Sequence, residues 1–137
     1  MLNLFWRVVM RKVLILTLLL VFLFAISTEL FASYDRNAVV KAMRSNASLI
    51  GEVQQAAKSQ DFYAAAQKLM AIADNMKALD AYTPSKGAKA EWDRIHQDLI
   101  KAAFRGIGAC GEEDVNKLNA AIGEISGYIK EGHSKFR

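Results

Sequence analysis

Two histidines carry most of the chemistry open to this chain of 137 residues. His133 stands in the closing stretch GYIKEGHSKFR, beside Gly132 and one step from an apolar seam. In a helical register it is turned about 100° from Gly132, at the edge of the apolar stripe, and the glycine leaves a gap beside it. An imidazole so placed either packs as a half-buried surface residue or turns a ring nitrogen inward as an axial ligand to a haem iron. Arg137, four residues on and on the same face, would bond a haem propionate or face water. His96 follows Asp93 by three, and D-x-x-H is half of a di-iron carboxylate motif. A bundle site of that kind needs a second such pair and two further carboxylates. Lys130, not an acid, precedes His133 by three, so the Asp93–His96 pair reads as a solvated helix face.

The single cysteine, Cys110, lies in the loop-like stretch GIGACGEED. It has no partner for an internal disulfide, a metal pair or a CxxC, which leaves an intermolecular bridge or a partly buried thiol. Two histidines and one cysteine do not make a dedicated zinc site. No nucleophile, base and orienter can be assembled, so an enzyme is not expected.

Helices must position these residues. The composition is rich in Ala, Leu, Ile and Lys with one proline, and no strand pattern competes. A first helix is expected over about 35–57, with Val39, Val40, Met43, Ala47, Ile50, Val53 and Ala57 on one side. After KSQD, where Ser59 or Asp61 would cap, a second carries Phe62, Ala66, Leu69, Ile72, Ala73, Met76 and Leu79 at spacings of three and four. Met70 and Met76 fit its core stripe, and Phe62, Tyr63 and Tyr128 read as packing and rim residues. The loop AYTPSKGAKA follows, crossing an end of the helices. A third helix carries Trp92, Ile95, Leu99 and Ala102 or Ala103 and dissolves in Gly106, Gly108 and Gly111. Glu112, Glu113 and Asp114 open the fourth, at the positive end of its dipole. Its seam is Val115, Leu118, Ile122, Ile125, Ile129, Gly132 and Phe136. Four such helices of about 30 Å form an antiparallel up-down-up-down four-helix bundle.

The N-terminus has a different character. Arg7, Arg11 and Lys12 precede VLILTLLLVFLFAIS, an apolar run of about fifteen residues, short of the roughly twenty that a membrane span needs. A positive leader, an apolar core and small residues at Ala25, Ser27, Ala32 and Ser33 predict a signal peptide over 1–32, cleaved after Ala32. An uncleaved inner-membrane anchor is the alternative, and Met10 would serve as a start. Either way the remainder, 33–137, is exported to the periplasm, touching the membrane only through this segment. Removing three positive residues and Glu29 lowers the net charge from +4 to about +2, too small for a nucleic-acid footprint.

From about residue 35 to 137 the chain resembles the cytochrome c′ family (class II c-type cytochromes) and its b-type four-helix relatives. The family's last helix closes with CxxCH, followed two residues later by Phe or Tyr and then Arg or Lys. Here the ending reads Ile129, Gly132, His133, Phe136 and Arg137, and AEWDRIHQDL is similar to the family's tryptophan-bearing third helix. The resemblance implies an exported haem protein for electron transfer or small-gas binding, with His133 as iron ligand and Met43, Ile129, Gly132, Phe136 and Arg137 around the haem. Met43 is the nearest candidate for a second ligand, although the register sets Val40 closer. Ile129 and Gly132 replace both thioether cysteines, so any haem is held non-covalently. The resemblance also implies a possible homodimer through the first two helices and a redox partner protein. A haem-free bundle acting as a binding or structural module is the alternative.

Overall fold

A computed structural model describes residues 34–137; the expected signal peptide, 1–32, and its cleavage site lie outside the described residues. The described chain is all-α: α1 (Arg36–Lys58), α2 (Phe62–Ala78), a short 3-10 turn (Leu79–Ala81), α3 (Lys89–Gly111) and α4 (Val115–Phe136). None of these helices is long and apolar enough to cross a membrane.

Three aspartates start three of the helices. The Asp35 carboxylate accepts from the backbone N–H groups of Asn37 and Ala38 at 2.9 and 3.1 Å, and Asp61 accepts from that of Ala64 at 3.0 Å. Asp114 accepts from the N–H groups of Asn116 and Lys117, both at 3.0 Å. Each satisfies donors left open by the first helical turn and places negative charge at the positive end of the dipole. The α1–α2 and α3–α4 turns are built alike. Gln60 (φ 55°) and Glu113 (φ 54°) take the left-handed conformation immediately before the capping aspartate. The next N–H then bonds back to the closing turn, Asp61 to Ala56 at 2.9 Å and Asp114 to Ala109 at 3.0 Å.

Each helix packs mainly on its neighbours in sequence, with a smaller contact between α1 and α4. Leu69, Ile72, Met76, Leu79, Leu99, Leu118, Ile125 and Val53 are the large side chains wholly enclosed. Several expectations are corrected in detail. Helix α3 does not dissolve at its glycines but continues to Gly111. A Cβ at Gly106 would lie 2.8 Å from Leu69 Cδ1 and 3.3 Å from Ala121 Cβ, so this glycine marks where α2 and α4 close on α3. Cys110 is therefore in a helix, 6 % exposed, and burial raises its thiol pKa. In α1, Asn46 (2 % exposed) is buried where Ala47 was expected. Its amide donates to Met76 Sδ at 3.1 Å and its carbonyl accepts from Asn75 at 2.9 Å. Met70 is 40 % exposed and lies off the α2 stripe that Met76 joins. Glu112 ends α3 rather than opening α4.

Candidate functional site

A cavity of about 500 Å³ opens at one end of the helices, within the range of small-molecule pockets. Its walls come from the first half of α1, the end of α2, the first half of α3 and the end of α4. The residues singled out in the sequence meet here: Met43, Ile129, Gly132, His133, Phe136 and Arg137 all border this one space, as does Val40.

The end of α4 is pinned to α3 around this opening. Arg94 bonds Glu91 and Asp98 on its own helix and Glu131 on α4, and Lys135 reaches back to Glu91. Arg94 and Lys135 together hold the Glu91 carboxyl down at about 2. Such exposed pairs add little stability singly, but these fix the register of α4 beside His133. Phe136 is held from two sides. Its ring meets Trp92 edge-on at 5.2 Å between centroids, and it lies against Gly87 so closely that a Cβ there would be 2.8 Å from Phe136 Cε1. Gly87 also adopts φ 79°, so the loop before α3 needs glycine for both backbone and space.

His133 is exposed at the cavity border, and among the described residues no hydrogen bond or ion pair engages its ring. The gap expected beside Gly132 is not a tight cradle. A Cβ at that position would reach ordinary contact with Ile95 Cγ2 at 3.7 Å, so alanine would fit.

His96 is the residue whose place the sequence reading missed. Far from a solvated face, it is 3 % exposed, borders the cavity and lies 4.3 Å from the Trp92 ring. Its Nδ1 is enclosed without a hydrogen-bond partner. Burial lowers its pKa to about 4; Asp80 and Asp93 act against that shift and Lys89 adds to it. The imidazole is thus neutral at neutral pH. Two more enclosed atoms lack partners, Trp92 Nε1 and Asp80 Oδ1, the latter on a carboxylate whose other oxygen takes Lys77 Nζ at 2.7 Å. The clue was available: His96 follows Trp92 by four and Ile95 by one and precedes Leu99 by three, a position on the edge of the buried stripe.

Arg36, Arg44 and Arg137 border the cavity and no described Asp or Glu side chain does. No described cluster of three or more His, Cys, Asp and Glu side chains could hold a bare metal ion. Comparison with protein-family models, curated proteins and solved structures gives no match for this chain.

Proposed function

We propose that the chain is an exported, cytochrome c′-like haem-binding protein, an up-down-up-down four-helix bundle that serves electron transfer or small-gas binding. The observation that carries this reading is the convergence of His133, Phe136 and Arg137 from α4 with Met43 from α1 on one apolar cavity. The donor set fits a haem held without covalent bonds. His133, whose ring has no partner among the described residues, would hold the iron, Arg137 would bond a propionate, and Ile129 and Gly132 would supply hydrocarbon contact in place of thioether bonds. A bound haem would supply a one-electron iron centre with a coordination position for a diatomic gas.

The protein's own part is confinement and orientation. Val39, Ile95 and Leu99 keep water from the inner wall, and neutral His96 adds no charge there. The Phe136–Trp92 contact and the Glu131–Arg94 pair hold the helical turn that carries His133.

The haem-free alternative draws on a specific observation: a methyl group at Gly132 would meet Ile95 Cγ2 at 3.7 Å, an ordinary contact, so the space beside His133 is no more than a side chain's depth from packed hydrocarbon. Haemin titration separates the two. The haem reading expects one equivalent to give a sharp, shifted Soret band that is lost in His133→Ala. A wild-type titration indistinguishable from haemin in buffer leaves only the binding-module reading.

A further inference from the structure

We infer that the inner wall of the cavity recognises the hydroxyl group of an uncharged aromatic alcohol, with His96 Nε2 accepting a hydrogen bond from it. This goes beyond the haem reading and uses neither iron nor His133.

Unmet hydrogen-bonding capacity is concentrated at one place in the fold. Among the described residues, the enclosed side-chain polar atoms that lack a partner belong to Asp80, Trp92 and His96. These are neighbours: the Trp92 and His96 rings lie 4.3 Å apart between centroids, and the Asp80 carboxylate acts on the His96 charge. Buried polar groups are nearly always hydrogen-bonded, so a cluster of unpartnered ones marks a place that something outside the chain completes. The two nitrogens of His96 differ. Nδ1 is enclosed, whereas Nε2 is not, and no described group bonds Nε2. The residue is only 3 % exposed and borders the cavity, so Nε2 opens to that space. Nδ1 and Asp80 Oδ1 are both enclosed, and a carboxylate attracts an N–H. The neutral tautomer protonated at Nδ1 is therefore favoured, which leaves the Nε2 lone pair for the cavity.

A lone pair selects a donor. An anion has no proton to give, and an ammonium would be desolvated against apolar walls with Arg36, Arg44 and Arg137 at the border. An uncharged hydroxyl meets neither objection. Tyr34, Trp92, Tyr128 and Phe136 among the lining residues offer ring faces and edges to an aromatic body. A space of about 500 Å³ admits a fused-ring molecule.

The test compares β-naphthol with β-methylnaphthalene, which puts a methyl group in place of the hydroxyl. Each is equilibrated with the full chain by dialysis at neutral pH. The ratio of the two association constants is then compared between proteins, which cancels the difference in their transfer out of water. That ratio should be about tenfold higher in wild type than in His96→Leu. His96→Gln, which keeps an acceptor on a side chain of similar reach, should lose no more than about threefold. Unchanged methylnaphthalene binding in both variants shows that the cavity is intact. A further arm needs no variant: the methyl ether of β-naphthol keeps the oxygen but has no proton to give, and should bind wild type at least about threefold more weakly than the naphthol. An equal ratio in wild type and His96→Leu, an ether that binds as tightly as naphthol, or no binding of naphthol overturns the inference and leaves ordered water as the only partner of His96. Hydroxyl-selective binding in a protein with no His133-dependent Soret band would sink the haem reading and keep this one. A His133-dependent Soret band without hydroxyl selectivity would do the reverse.

Discussion

Replacing His96 by leucine should remove a specific part of the protein's acid sensitivity. The buried ring titrates at about 4 against 6.5 for a free imidazole, so the unfolded chain takes up a proton that the folded chain refuses. A folded-state pKa lowered in this way gives stability that is complete above the unfolded value and is lost as pH falls towards the folded one. The groups acting on the ring are Asp80 on the 3-10 turn and Asp93 on α3, which favour protonation, and Lys89 on α3, which opposes it. Across the whole window the linked loss is about 3 kcal/mol, of which about 2 kcal/mol falls between about pH 7 and about pH 5. Stopping near pH 5 keeps clear of Glu91, whose lowered carboxyl pKa costs stability only as pH falls below its free value of 4.5. Urea unfolding of wild type and His96→Leu at the two pH values gives the comparison. Wild type should lose about 2 kcal/mol more than the variant on acidification. An equal loss in both proteins would mean that His96 is solvated or partnered in solution, and the argument from burial would fail.

Further consequences follow from packing and backbone geometry. Gly106→Ala gains about 1 kcal/mol of helix propensity but drives a methyl against Leu69 and Ala121, and should lose about 1–2 kcal/mol net in urea unfolding. Glu113→Gly relieves a left-handed residue in the α3–α4 turn and should raise stability by about 0.5–1 kcal/mol in the same assay. Cys110, buried in α3, should react with a thiol reagent only as fast as the chain opens, and a reducing agent should not change the elution volume on gel filtration.

The helices were legible because their determinants are local. Asp61 and Asp114 precede apolar stripes of period three to four, and the proline–glycine loop interrupts them once. What escaped were contacts between distant parts of the chain. Gly106, Gly108 and Gly111 read as breakers in sequence, yet the first is demanded by Leu69 on another helix and the helix runs through all three. Cys110 was misplaced with them. Asn46 is buried because Met76 and Asn75, about thirty residues away, supply its partners. The D-x-x-H spacing points to a metal motif, whereas the burial of His96 comes from its packing on Trp92, one turn earlier in the same helix. Helical register indicated that the α4 residues share an end, but only the folded chain brings Arg36 and Arg44 to the same opening.

The central claim is that the His133 imidazole holds the iron of a haem in this cavity. Its most direct test is His133→Gly mixed with haemin, with and without added free imidazole. The variant alone should lack the wild-type Soret band, and imidazole should restore it. A variant whose spectrum already matches wild type and ignores imidazole would contradict it.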